Sequence, residues 1–273
     1  MKRQFKPAIS RIPERVVTGW PAIRGGLSLL ELLVVLTILI ALGGIVISTL
    51  PGLLDRTQIA TAAANVPQID SSIRQNMILH QGRLGDRFDS LISGSTSLDG
   101  QIPAYIGGRE VFEASSLTDN EIEALRAIGI TELIPALETT NNATYESHQQ
   151  APVPLGSDSK VATISASASP DLIRQLWNIE PNKEDKYIVL GLGDRSTLVG
   201  SGRNALFAEA PVHFSDTQTT NPRLMYSRYL IVVAVTHPSD QTATARYLGT
   251  CIPGPRGLET ISQALQEHYS NQD

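Results

Sequence analysis

Residues that could carry chemistry are few and poorly grouped. His213-Phe214-Ser215-Asp216 sets a histidine and a serine two apart, on one face if the segment is a strand. A Ser-His-Asp triad is defined by its members meeting in space and has no such local spacing. No Gly-x-Ser-x-Gly elbow occurs, and an edge or surface strand is the better reading. Gly191-Leu192-Gly193 begins like a dinucleotide loop, but Ser196 stands where the third glycine belongs. No helical pattern follows Gly200 and Gly202 to offer its N-terminus to a phosphate, so the segment reads as a turn. His80, His148, His213, His237 and His268 form no i, i+4 pair, and no metal is expected. Acidic loop residues such as Asp216 lack EF-hand spacing for calcium. Cys251 has no partner cysteine and reads as a small buried residue rather than a reactive thiolate. No cofactor is implied. The exception is Glu31, one carboxylate at the head of a long apolar run.

The composition narrows the classes further. The chain has 273 residues, 41% hydrophobic and 18% charged, which excludes a wholly disordered chain and a polytopic membrane protein. A net charge of −5 argues against nucleic acid as a partner, because phosphate contacts need clustered Lys and Arg. That average hides an asymmetry. Residues 1–26 carry Lys2, Arg3, Lys6, Arg11, Arg15 and Arg24 against Glu14, a net of +5, leaving −10 on residues 27–273.

After this basic segment the sequence turns apolar. Leu32 to Leu50, before Pro51, is free of charge and would span about 29 Å as a helix, close to the hydrocarbon thickness of a bilayer. The basic flank puts the N-terminus in the cytoplasm and the C-terminal part outside. A cleaved secretory signal fits badly. The run is longer than the usual core of about 7–15 residues, and Ser48-Thr49-Leu50-Pro51 makes a poor peptidase site. A plain anchor fits the length but gives no reason for Glu31, since a carboxylate in an apolar span is costly and calls for a partner.

Gly26-Leu27-Ser28-Leu29-Leu30-Glu31-Leu32-Leu33-Val34-Val35-Leu36 resembles the N-terminal signature of type IV pilins and type II secretion pseudopilins. The resemblance covers about a tenth of the chain. It implies that a prepilin peptidase cuts between Gly26 and Leu27, that Leu27 is then N-methylated, and that Glu31 is the family's buried glutamate at the fifth mature position. The new ammonium on Leu27, its own or a neighbour's, would be the partner of Glu31 and would set the stagger between subunits. Two charges costly in lipid become tolerable when they meet. The sequence departs from the pattern in having Leu27 where phenylalanine is commonest, a long leader containing Pro7, Pro13 and Pro21, and no C-terminal cysteine pair. The expected partners are the prepilin peptidase, other pilin or pseudopilin subunits, an inner-membrane assembly platform and the lipid bilayer. The expected location is the inner membrane, with the C-terminal domain periplasmic. The resemblance implies a structural subunit rather than an enzyme, and a minor one, since the mature chain exceeds the usual small major subunits; a membrane-anchored enzyme or ligand-binding domain is the alternative.

The remaining elements must position these residues. Ile59, Ala62, Val66, Ile69, Ile73 and Met77 recur at steps of three and four and predict a helix over about 53–80. Gly43-Gly44 and Pro51 read as packing and a bend within the preceding run. Asp86–Ser93 reads as a short helix or turn, and residues 94–115 as irregular. Thr118-Asp119-Asn120-Glu121 is a capping box opening a helix that Gly129 ends. Residues 138–169, poor in large apolars, read as a loop or linker that could separate two lobes. Ser169-Pro170 starts a helix to about Trp177. Strands are predicted at 186–192, 211–214, 228–236 and 242–248, and a terminal helix at 260–269. The expected fold is α+β. A long N-terminal helix, with a transmembrane half and an amphipathic half, would pack on an antiparallel sheet with accessory helices, in a pilin-like arrangement. The expected divisions are a leader (1–26), an assembly helix (27–54), its amphipathic extension (55–80) and an outer domain (81–273).

Overall fold

Alternation of apolar residues along two neighbouring strands places the core. In Tyr187-Ile188-Val189-Leu190 and Leu230-Ile231-Val232-Val233-Ala234-Val235 successive side chains enter opposite faces of one sheet, and all are buried. A strand buried on both faces needs a covering layer on each side.

The computed structural model describes residues 28–93, 102–103, 106, 109–136, 151–157, 159–165, 169–182, 184–212, 226–237, 242–254 and 257–259, without the side chains of 45–64, 169, 254 and 257–259. In chain order the elements are α1 (Leu29–Leu79), β1 (Arg87–Ser93), a 3-10 turn (Arg109–Val111), β2 (Phe112–Ser116), α2 (Asp119–Ala127), β3 (Glu132–Ala136), β4 (Val153–Pro154), β5 (Lys160–Ile164), α3 (Ser169–Trp177), β6 (Asp185–Gly191), β7 (Leu230–Thr236), β8 (Thr244–Gly254) and β9 (Gly257–Glu259). The chain forms two compact units, Met1–Leu50 and Pro51–Asp273. The first holds the beginning of α1. The second holds its end and all the strands.

Within the second unit the strand order is β4-β3-β1-β6-β7-β8-β9. β6 pairs with β7 along one edge. Its other edge is shared between β5, at Ile188 and Val189, and β1, at Gly191 alone. β2 pairs with the far side of β5. Val66, Ile69 and Ile73 of α1 join Ile122, Ala124 and Leu125 of α2 on one face. Ile173 and Leu176 of α3 lie on the other, with Leu91, Ile106 and Phe112.

The expected fold class needs correction on two points. The sheet is mixed rather than antiparallel, because β1 and β3 run parallel. A parallel pair requires a crossover, here through β2 and α2, and local sequence pattern does not reveal it. Asp86–Ser93, expected as a helix or turn, is the strand that makes this pair. The transmembrane half is the second point. Among the described residues no helix is long and apolar enough to cross a membrane. Among the described residues, the α1 side chains in the core, Val66, Ile69 and Ile73, belong to the second unit.

Residues 138–169 are corrected in part. β5 lies inside this stretch, hydrogen-bonded to β2 and β6, so residues 160–164 are sheet and not linker. Its small residues Ala162 and Thr163 suit a strand flanked on both sides. The helices starting at Thr118 and Ser169 occur where their caps predict them. The terminal helix expected at 260–269 and half of the strand expected at 211–214 lie outside the described residues.

The end of α1 is tied to β8 by polar groups as well as by packing. The Tyr247 hydroxyl donates to Asp70 Oδ1 at 2.7 Å and lies 2.6 Å from Thr250 Oγ1. Arg74 binds Asp70 Oδ2 at 2.8 Å, sits 5.1 Å over the Tyr247 ring and donates to the Leu248 carbonyl. Burial, and secondly the Asp70 charge, push the Tyr247 phenol well above its ordinary range, so it stays a donor. Tyr247→Phe keeps the ring and strips Asp70 of this donor. It is expected to cost about 1–2 kcal/mol, read as a lower urea midpoint with an unchanged m value.

Candidate functional site

Glu31 sits in the first turn of α1, where four backbone N–H groups have no partner within the helix. Its Oε2 accepts from the Ser28 backbone N–H at 3.0 Å and from the Ser28 hydroxyl at 3.3 Å. In return the Glu31 N–H donates to Ser28 Oγ at 3.2 Å. This is a reciprocal capping box, a partner for Glu31 that sequence reasoning missed. The signal was present, since Ser28-x-x-Glu31 has the same form as Thr118-x-x-Glu121. The carboxylate also suits the positive end of the helix dipole. Gly26 and Leu27, the expected cut and methylation positions, lie outside the described residues.

From Leu29 to Leu42 the first unit presents apolar side chains on all sides. Leu29, Leu30, Leu32, Leu33, Leu36 and Leu39 are each more than half exposed. Thr37 turns its hydroxyl back onto the Leu33 carbonyl at 2.6 Å, so it adds no outward donor to this surface.

Two carboxylates in the second unit are buried, one read in the sequence only as a helix cap and one not singled out there. Glu121, in α2, is 3% exposed. Its oxygens accept from the Thr118 N–H at 2.7 Å and from Lys186 Nζ at 2.9 and 3.1 Å, and His237 Nε2 lies 3.0 Å away. Burial by itself would raise this carboxyl. The Thr118 N–H, Lys186 and His237 outweigh it and hold Glu121 below its usual range. The cluster pins α2 to β6 and to the end of β7, a structural role.

Asp89 is the second. It lies in β1, 2% exposed, and its Oδ2 accepts from the Tyr226 hydroxyl at 2.7 Å. Burial raises its carboxyl to about 7. The turn at Gly191-Leu192-Gly193 is shaped around this pair. A Cβ on Gly191 would overlap the Tyr226 hydroxyl, and one on Gly193 would overlap the Asp89 carboxylate. The glycines that began like a dinucleotide loop are thus there for close side-chain approach. Nothing local marks Asp89, because Tyr226 is 137 residues away in sequence.

Cys251 is buried in β8 with its Sγ 3.8 Å from the Leu230 carbonyl, and burial pushes its thiol up. His80 lines a cavity of about 270 Å³ with Asn76, Arg83 and Asp86. His148, His213, Ser215, Asp216 and His268 lie outside the described residues. Among the described residues no three His, Cys, Asp or Glu side chains are grouped to hold a metal ion. No family model matches the chain, and neither a curated protein nor a solved structure matches it.

Proposed function

We propose that this chain is a prepilin-like structural subunit. It is inserted through its apolar N-terminal segment with residues 1–26 in the cytoplasm, cut by a prepilin peptidase between Gly26 and Leu27, and N-methylated on Leu27. It is then assembled with other subunits into a pilus or pseudopilus by an inner-membrane platform, as a minor component. The observation that carries this reading is the sequence from Gly26 to Leu36. A basic leader, a glycine, a hydroxyl residue, Glu31 as the only charge and an apolar run occur there together.

The apolar surface from Leu29 to Leu42 supports it. A soluble monomer seldom leaves such an area in water, and lipid before assembly or neighbouring subunits after it would cover it. The charge division supports it too. The +5 leader obeys the positive-inside bias, and its removal leaves a mature chain of −10.

The test is cleavage. Co-expressed with a prepilin peptidase, the wild type is expected to yield a mature N-terminus at Leu27, methylated, by mass spectrometry of the membrane-extracted protein. Gly26→Ala is expected to keep the leader in most of the protein, because the glycine at the cut is part of the signature on which the reading rests. A mature N-terminus at Leu27 in the variant would show that cleavage does not need the glycine and would count against a prepilin peptidase.

A further inference from the structure

Asp89 stands at a fork in the sheet. β1 meets β6 at one register pair, Asp89 opposite Gly191, and then diverges. Leu91, two residues on, has φ of 60°, and the register with β3 shifts between Asp89 and Ser93. Here the buried carboxyl has the Tyr226 hydroxyl as its hydrogen-bond donor and Gly193 pressed against it.

The turn that follows Gly193 is held from three sides. Ser196 N–H donates to the Gly193 carbonyl at 3.1 Å, and Thr197 N–H donates to the Arg87 carbonyl at 3.4 Å. Arg87 N–H donates to Thr197 Oγ1 at 3.1 Å, and the Thr197 hydroxyl donates to Asp86. Asp194 accepts from Arg228 Nη2 at 2.7 Å, while Arg228 Nη1 donates to the Ala210 carbonyl at 2.6 Å. Asp194 and Thr197 also wall a cavity of about 350 Å³.

We propose that Asp89 is a proton-operated latch on the turn Gly193–Thr197, closed when the carboxyl is protonated and released when it ionises. A neutral carboxyl fits the closed site, because it can be buried without a counter-charge. An ionised one must gain water or a cation. The cation whose charge acts on Asp89, Arg228, binds Asp194 and the Ala210 carbonyl. Turning it toward Asp89, or admitting water past Gly193, frees Asp194 and loosens the turn. The titratable and charged groups acting on Asp89 are Tyr226 and Arg228, from the segment entering β7, and Asp194, from the turn itself. Asp194 disfavours the ionised form; Tyr226 and Arg228 favour it. Burial outweighs both of them and keeps the proton on to about pH 7.

Hydrogen exchange of the full chain in detergent tests this, with protection corrected for the intrinsic pH dependence of exchange. Between about pH 4.5 and 7 protection of residues 193–199 is expected to fall by as much as about tenfold per pH unit and then to level off, as one proton lost on opening requires. Residues 230–236 should not follow. Asp89→Asn, which cannot ionise, should make the protection of 193–199 flat with pH. Tyr226→Phe removes a donor that favours the ionised form and should move the levelling-off to higher pH. It also keeps the test alive if Asp89→Asn does not fold. A flat wild-type profile, an unchanged slope in Asp89→Asn, or an unmoved profile in Tyr226→Phe would each overturn the latch.

Discussion

Glu31→Gln is expected to be inserted and cut like the wild type and to lose at least about tenfold in assembly. The argument rests on what each substitution keeps. Glutamine can occupy the third helical position of a capping box, so the bonds between residues 28 and 31 survive in Glu31→Gln. Glu31→Ala removes them, at about 1 kcal/mol of local helix stability. Both remove the charge. If the carboxylate serves as the partner of the Leu27 ammonium, an unpaired ammonium is left in an apolar subunit core. Breaking such a pair costs about 3–5 kcal/mol in comparable buried settings. Both variants then fail alike. If Glu31 acts only as a cap, Glu31→Gln assembles normally and Glu31→Ala shows a modest defect. The measurement is the ratio of assembled to membrane-held subunit after cleavage has been verified. Normal assembly of Glu31→Gln would sink the pairing.

The second large effect is the pH dependence of stability at Asp89. Its folded carboxyl is raised from 3.8 to about 7, chiefly by burial. Between these values the folded chain keeps a proton that the unfolded chain has lost. Stability therefore falls as pH rises from about 4 to about 7 and is level above. The full drop is about 4 kcal/mol at about 1.4 kcal/mol per unit. Glu121 acts in the opposite sense, since a lowered folded value loses stability as pH falls. The clean quantity is hence the difference between Asp89→Asn and the wild type. It is expected to be small at pH 4.5 and to grow in favour of the variant toward pH 7.5. Urea unfolding of the full chain in detergent at both pH values measures it. Parallel stability curves for the two proteins would show that Asp89 does not titrate in this range.

Legibility in the sequence followed the range of each interaction. The helix over Asp119–Ala127 could be read because its cap, Thr118 with Glu121, is complete within four residues. β7 could be read because six apolar, mostly β-branched residues in a row suit a strand buried on both faces. β1 was misread. Arg87-Phe88-Asp89-Ser90-Leu91-Ile92-Ser93 contains an aspartate and two serines, which speak for turns, and its bonding partners lie far along the chain. β5 was lost in the same way, as a short run of small residues between loops. At the candidate site the capping partner of Glu31 is legible, because Ser28 and Glu31 have the spacing of a capping box within four residues.

The amino-acid sequence alone determined the division into a basic N-terminal segment and an acidic remainder, the apolar run headed by one glutamate, and the starts of the capped helices. Each depends on residues within a few turns of one another. The tertiary structure alone decided that β1 lies parallel to β3, that residues 160–164 belong to the sheet, and that Asp89 meets Tyr226 between two obligatory glycines. Apolar periodicity reports which side of an element is buried. It carries no address for what lies against it, and that is settled only when distant segments compete to fill the same space.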